Sequence, residues 1–176
     1  MLSQWRATKH EALHRALIFS NLTWNEILTD NAMGTIGRMS DKKRILVVED
    51  ETPLACWMIS VLTQIGCDVE AARTGKRAME LATENQYDLI TLDIGLPDVS
   101  GFVVCVELKQ RHISRHTPIV FISASSREED RQQSLKLGAV DYIEKPFDPR
   151  NFVGRLLSRI DTELVASESP FEQEFP

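Results

Sequence analysis

Four short stretches end apolar runs in residues that can do chemistry. Glu49-Asp50-Glu51 follows Ile45–Val48, Asp93 follows Leu89–Leu92, Ser123 closes the run from Ile119, and Glu144-Lys145-Pro146 follows Val140–Ile143. Taken singly, each has an ordinary reading: a solvated acidic loop, a helix cap, a turn. Taken together, their chemistries fit one another. Converging carboxylates cannot all stay ionised unaided, so they call for a cation. Hard oxygen ligands, few in number and with room for water and a phosphate, suit Mg²⁺. One carboxylate can then attack phosphorus. A lysine and a hydroxyl can hold the phosphoryl oxygens where charge develops. The set reads as a site that takes a phosphoryl group onto an aspartate.

These residues meet only if the chain brings the ends of its apolar runs to one rim. From Arg44 onward, short β-branched runs alternate with helical stretches. Strands are expected at Ile45–Val48, Asp68–Ala72, Leu89–Leu92, Ile119–Ile122 and Val140–Ile143. Several are continuously apolar, as strands covered on both faces are. Helices are expected near 52–65, 76–85, 101–111, 127–137 and 148–160. In the first, Leu54, Met58, Val61, Leu62 and Ile65 form one stripe at helical spacing. Gly66 and Gly138 follow the first and fourth as helix stops. The rhythm is that of five βα units in an open, doubly wound parallel sheet, an α/β fold. Ligands of such sheets bind outside the carboxyl ends of the strands.

Residues 44–160 resemble the receiver domain of two-component response regulators. The resemblance rests on Arg44-Ile-Leu-Val-Val-Glu-Asp-Glu51, Leu92-Asp-Ile-Gly-Leu-Pro-Asp-Val-Ser-Gly101, Pro118-Ile-Val-Phe-Ile-Ser-Ala124 and Asp141-Tyr-Ile-Glu-Lys-Pro-Phe147, in that order. It implies a flavodoxin-like strand order, 2-1-3-4-5. It implies that Asp93 is the phosphoacceptor and Asp50 a direct Mg²⁺ ligand. Glu49 would assist through water, and Gly95 would offer its backbone carbonyl to the metal. Lys145 would contact the phosphoryl group, with a cis bond to Pro146. Ser123 would swing its hydroxyl to a phosphoryl oxygen, and Tyr142 would follow by changing rotamer. That movement would link the site to the face of helix four, strand five and helix five, where a homodimer or a partner would bind. The phosphodonor would be a sensor histidine kinase or a histidine phosphotransfer protein. Many receivers carry Thr where this chain has Ser123, which keeps the hydroxyl but is less stiff. Gly95 and Ser125 stand where the family tunes the lifetime of the phosphoaspartate.

Composition bounds the alternatives. The 176 residues carry 20 Lys and Arg against 26 Asp and Glu, and 43% are hydrophobic, as in ordinary soluble domains. Residues 1–43 hold 6 basic and 4 acidic groups, residues 44–161 hold 14 and 18, and residues 162–176 hold 0 and 4. No segment is basic enough to neutralise nucleic-acid phosphates. No apolar run approaches the ~20 residues of a membrane span, and Ala16–Phe19 is too short for the core of a signal peptide. A cytoplasmic protein is expected. Cys56, Cys67 and Cys105 are odd in number and isolated, and read as small apolar core residues.

The ends divide the chain into three parts: an N-terminal extension over 1–43, the receiver over 44–161, and a tail over 162–176. The extension holds a capping box at Thr23-Trp-Asn-Glu26 and a face of Trp5, Leu13 and Leu17, so short helices are expected there. His10 and His14 read as surface histidines, since so short a stretch cannot build a phosphotransfer bundle. Asn31–Ser40 reads as a linker, and Met39 is a competing start. The acidic tail is expected to be disordered. What remains outside the receiver has no room for an output domain, so action through a partner protein is expected.

Smaller features have bland readings. Pro97-Asp98 and Gly101 shape a loop and start helix three. His112 and His116 sit near a helix C-terminus, where the dipole favours them. Trp57 is left open between core and partner surface. Two other functions compete. An aspartyl-phosphate hydrolase would carry an acid two residues after its nucleophile, and here that residue is Gly95. A phosphate-independent docking receiver would not need the full set of Glu49, Asp50, Asp93, Ser123 and Lys145. A dinucleotide-binding fold lacks its glycine fingerprint after the first strand.

Overall fold

The computed structural model describes residues 42–166 apart from 112. The expectations for residues 1–41, for His112 and for the chain after 166 lie outside the described residues. The elements are β1 (Arg44–Val48), α1 (Thr52–Gln64), β2 (Asp68–Ala72), α2 (Gly75–Glu84), β3 (Leu89–Leu92), α3 (Gly101–Gln110), β4 (Ile119–Ser123), α4 (Glu128–Lys136), β5 (Asp141–Glu144) and α5 (Pro149–Ala166). The strands form one parallel sheet in the order β2-β1-β3-β4-β5, as expected.

Alternation along the strands explains the two-sided core. Ile45, Val47, Leu89, Val120, Ile122 and Ile143 point to one face, where the apolar stripes of α1 and α5 cover them. Leu46, Val48, Ile90, Leu92, Phe121 and Tyr142 point to the other, against α2 and α3. A sheet buried on both faces reads as near-continuous apolar runs, and β3 and β4 are buried throughout, with Thr91 and the terminal Ser123 their polar exceptions. The glycines read as helix stops, Gly66 and Gly138, both adopt positive φ, which suits a residue without a Cβ.

α4 is the weak element. Its sequence, Glu128–Lys136, buries only Ser134, and Leu135 beside it is exposed, as is Val140 before β5. A helix with so little buried apolar surface opens locally more readily than its neighbours. α5 is the opposite. It buries Phe152, Val153, Leu156, Leu157 and Ile160 and runs to Ala166, past the boundary expected at 161. No Gly or Pro interrupts Asp161–Ala166, and Glu, Leu and Ala sustain a helix, so the first residues of the supposed tail continue it.

Other small expectations need correction. Cys67 and Cys105 are buried, but Cys56 is exposed on α1. α3 ends at Gln110, so His116 lies in the loop beyond it. There its Nε2 accepts from Arg115 Nε at 2.8 Å rather than facing a helix end. Trp57 is half-buried core: its ring packs at 5.8 Å from Phe147 and 5.2 Å from Phe152, and those two stack at 5.0 Å. Such pairs add about 0.5–1.5 kcal/mol each beyond area burial. They hold the segment that follows Lys145-Pro146 against α1.

The far end of β5 is held by charge. Arg155 Nη2 lies 2.6 Å from Asp141 Oδ1, and Arg159 Nη2 lies 3.4 Å from Oδ2. Burial alone would raise the Asp141 carboxyl. Arg155, the Tyr142 N–H and Arg159 outweigh it, and the group titrates below its ordinary value. A carboxyl depressed in the folded state adds stability above its unfolded pKa, and that stability is lost as pH falls through the folded pKa. Asp141→Asn is therefore expected to cost about 1–3 kcal/mol near neutral pH. The deficit should shrink as wild type and variant are melted in urea at falling pH. A deficit that is constant down to about pH 3 would contradict the assignment.

Candidate functional site

Strand register assembles the site. Val48 is paired with Leu92, so the next residues, Glu49 and Asp93, leave adjacent strands at the same level. The ladder continues past the strand ends, with Asp93 N–H donating to the Val48 carbonyl at 3.0 Å and Glu49 N–H to the Ala72 carbonyl at 3.0 Å. Ser123 is paired with Glu144, and Lys145 N–H donates to the Ser123 carbonyl at 2.8 Å. Four strand ends thus stand side by side at the carboxyl rim.

The pleat then sorts the side chains by face. Glu49, Asp93 and Lys145 fall on the side of α1 and α5. Ser123 and Tyr142 fall on the side of α2 and α3. Lys145, 2% exposed, places its Nζ 2.6 Å from Glu49 Oε2 and 2.8 Å from Asp93 Oδ2. Carboxylate oxygens of Glu49, Asp50 and Asp93 lie within 4.8 Å of one another. The Lys145–Pro146 bond is cis. Asp93 Oδ1 accepts from the Gly95 N–H at 3.1 Å.

The electrostatics follow from two buried carboxylates sharing one buried ammonium. Burial pushes the Glu49 carboxyl up to about 7; Lys145 opposes that shift and Asp93 adds to it. Burial on its own would lower the Lys145 ammonium, but Asp93 and Glu49 hold it above its ordinary value. Lysine therefore stays charged, and the cluster is short of one positive charge. Asp50 is only half-buried, so the cluster is open to water on that side. Its hard oxygen donors, excess negative charge and open side fit Mg²⁺.

Ser123 and Tyr142 do not join this cluster. The Ser123 hydroxyl accepts from the Ser125 N–H at 3.2 Å. The buried Tyr142 hydroxyl donates to the Ser125 carbonyl at 2.7 Å. Ser125 Oγ lies 2.5 Å from Asp130 on α4. The backbone of Ser125 thus connects the two expected switch residues, and its side chain ties them to α4.

Gly101 starts α3 as expected, but its spacing in the sequence gives no sign of a contact with Asp93. In the structure it lies against the backbone of Asp93, and a Cβ there would collide with the Asp93 carbonyl. Its N–H donates to the Ile94 carbonyl at 3.0 Å. The obstruction is main chain, so it cannot rotate aside. Gly101→Ala is expected to cost about 1–3 kcal/mol. Any chemistry at Asp93 should slow as well, since a displacement of about 1 Å can cost 10²-fold. Urea melts and labelling rates on the same preparation check both.

Residues 45–157 match the sequence pattern of the response regulator receiver domain. The chain is 37% identical over 115 residues to the transcriptional regulatory protein CreB of Escherichia coli (strain K12), covering 65% of this chain and 49% of that protein. It spans about half the length of the curated relatives it matches. A CheY-like receiver domain protein of Methanospirillum hungatei JF-1 superposes with a TM-score of 0.67 at 27% identity, covering 72% of this chain and 99% of that one. The receiver domain of sensor histidine kinase PA1611 of Pseudomonas aeruginosa PAO1, solved with a magnesium ion in its active site cleft, gives 0.60 at 27% identity, over 67% and 99% of the two chains. No helix among the described residues is long and apolar enough to cross a membrane. A match that runs from the first strand into the last helix means that the chain belongs to the response regulator receiver domain family of two-component systems.

Proposed function

We propose that this receiver accepts a phosphoryl group on Asp93 from a phospho-histidine donor, a sensor kinase or a phosphotransfer protein. The observation that carries the reading is the buried Asp93 carboxylate, held at 2.8 Å by the Lys145 ammonium beside Glu49 and Asp50. An Asp93 oxygen attacks phosphorus, the P–N bond breaks, and the electron pair returns to the donor imidazole. The products are an aspartyl phosphate and histidine. Glu49, Asp50, Asp93 and the Gly95 carbonyl would hold Mg²⁺, which when bound supplies the positive charge that a phosphoryl group needs beside three acids. Lys145 would shift from bridging two carboxylates to contacting the phosphoryl oxygens. Ser123 would turn its hydroxyl from the Ser125 N–H toward the phosphoryl group, and Tyr142 would move with it.

The read-out face would be α4, β5 and α5, where Leu135 and Val140 are exposed and α4 is lightly anchored. A second copy or a downstream protein would bind there. An added charge of about −1.5 to −2 is enough to bias such an element. Gly95, two residues after Asp93, leaves no acid for rapid hydrolysis, so the module works by binding or by onward phosphotransfer.

Acetyl phosphate tests the proposal. With MgCl₂, the intact mass of the protein is expected to rise by one phosphoryl group. With EDTA the product should be lost, by more than about 10²-fold in rate. Absence of labelling in MgCl₂ would overturn the proposal.

A further inference from the structure

The two loops that carry the acidic site do not touch only each other. Both are tied to a third, the β2–α2 connection at Arg73 and Thr74 together with the first turn of α2. On one side, Arg73 Nη2 donates to the Asp50 carbonyl at 2.9 Å. On the other, the Asp98 carboxylate accepts from the Gly75 N–H at 2.8 Å and from the Lys76 N–H at 2.9 Å. These are the first two N–H groups of α2, which have no partner within their own helix. The third, on Arg77, is met by the Thr74 hydroxyl at 3.2 Å. Asp98 is therefore a helix cap supplied from another loop, with its charge at the positive end of the helix. Backbone donors hold its carboxyl below the ordinary range.

Packing locks the same junction. A Cβ at Gly75 would run into the methyls of Val99 and Val104, so the loop after Asp93 seats in the notch that this glycine leaves. The loop's other end is pinned at Gly101. The stretch between Asp93 and Gly101 carries Gly95, and three contacts hold it: Asp98, Val99 and Gly101. Glu51 follows Asp50 in the other loop, and its N–H donates to Glu49 Oε1 at 3.2 Å.

We infer that the β2–α2 connection is a clasp that sets the separation between the metal-ligand loops, with Asp98 and Arg73 as positioning residues for Mg²⁺. This rests on the reading that Glu49, Asp50, Asp93 and Gly95 hold the ion. Neither positioning residue touches the ion. Asp98 fixes the loop of Asp93 and Gly95, and Arg73 fixes the loop of Asp50. Without the clasp the ligands would have to be ordered at the moment of binding, which weakens affinity with no loss of a ligand.

Calorimetric titration of the full chain with MgCl₂ decides it, with Asp98→Ala, Asp98→Asn and Arg73→Met beside wild type. Asp98→Ala is expected to raise the Mg²⁺ dissociation constant about tenfold. Asp98→Asn, which retains one acceptor oxygen, should recover part of that loss. Arg73→Met should raise the constant about threefold, being a single exposed hydrogen bond. Circular dichroism in EDTA at the titration temperature confirms that each variant is folded. Arg73 is solvent-exposed, so its variant decides the matter even if Asp98→Ala does not fold. An unchanged dissociation constant in a folded variant of either residue overturns the clasp and leaves the metal site standing. A wild-type chain that binds no Mg²⁺ overturns both.

Discussion

In Asp93→Asn, labelling by acetyl phosphate falls to background while the protein stays folded and melts no lower than wild type in EDTA. The two halves have one cause. Glu49 and Asp93 face a single ammonium at 2.6 and 2.8 Å, so one carboxylate is in excess wherever Glu49 is ionised. Making Asp93 neutral removes the like-charge repulsion and leaves Lys145 paired with Glu49 alone. The amide oxygen can still accept from the Gly95 N–H. What is lost is the nucleophile, and removal of a nucleophile costs more than about 10³-fold. Intact-mass kinetics and a thermal melt on one sample check both. Normal labelling would show that the phosphoryl group goes elsewhere. A large loss of stability would show that the Asp93 carboxylate is part of what holds the fold, against the charge argument.

The opposite substitution in the same cluster should behave oppositely. Lys145→Met leaves two carboxylates in a buried space with no cation. Breaking a buried pair by removing one partner costs about 3–5 kcal/mol. Here the cost depends on pH in a stated direction. Glu49 is already pushed up to about 7, and Lys145 opposes that rise. Without the ammonium the folded-state value goes higher. A carboxyl raised in the folded state favours folding while protonated, and that contribution is lost as pH rises from its unfolded pKa through its folded one. The deficit of Lys145→Met should therefore be small at about pH 5 and largest above about pH 8, growing with pH as the Asp141→Asn deficit does but over a higher window. Labelling should fall about 10²–10³-fold, as when one charge-stabilising donor is removed. Urea melts in EDTA at the two pH values are the measurement. A deficit that did not grow with pH would mean that Glu49 is not the group left unpaired.

These two residues show how much of the site could be read in the sequence. Glu49, Asp50, Asp93 and Lys145 each follow a short apolar run, and a parallel sheet must bring the ends of such runs to one rim. Their convergence followed from that rule alone. The pairing of Lys145 with both Glu49 and Asp93 did not. It needs the register that sets Val48 opposite Leu92 and the pleat that turns all three side chains to one face. The sequence marks Ser125 only by its place in the family pattern, yet its backbone bridges Ser123 and Tyr142. That role depends on main-chain geometry, which leaves no mark on residue type.

Gly101 and Asp98 make the same point more sharply. Both looked like loop residues, because glycine and aspartate are common in turns for local reasons. In the folded chain Gly101 is a close approach to the Asp93 carbonyl, and Asp98 caps a helix that begins 23 positions earlier. The helix ends were similarly half legible: Gly66 and Gly138 stopped α1 and α4 as read, while α5 ran on because nothing in its sequence ends it before Ala166.

The sequence by itself determined the alternation of strands and helices, the two-sided burial of the sheet and the identity of the acidic, hydroxyl and lysine residues at its rim. Periodicity and residue chemistry are local properties, and they survive in one dimension. Tertiary structure alone decided which carboxylate shares which ammonium, which face Ser123 and Tyr142 take and which distant loop holds Asp93 in place. Those depend on register, pleat and close backbone contact between segments far apart in the chain, where an ångström matters and sequence spacing carries no information.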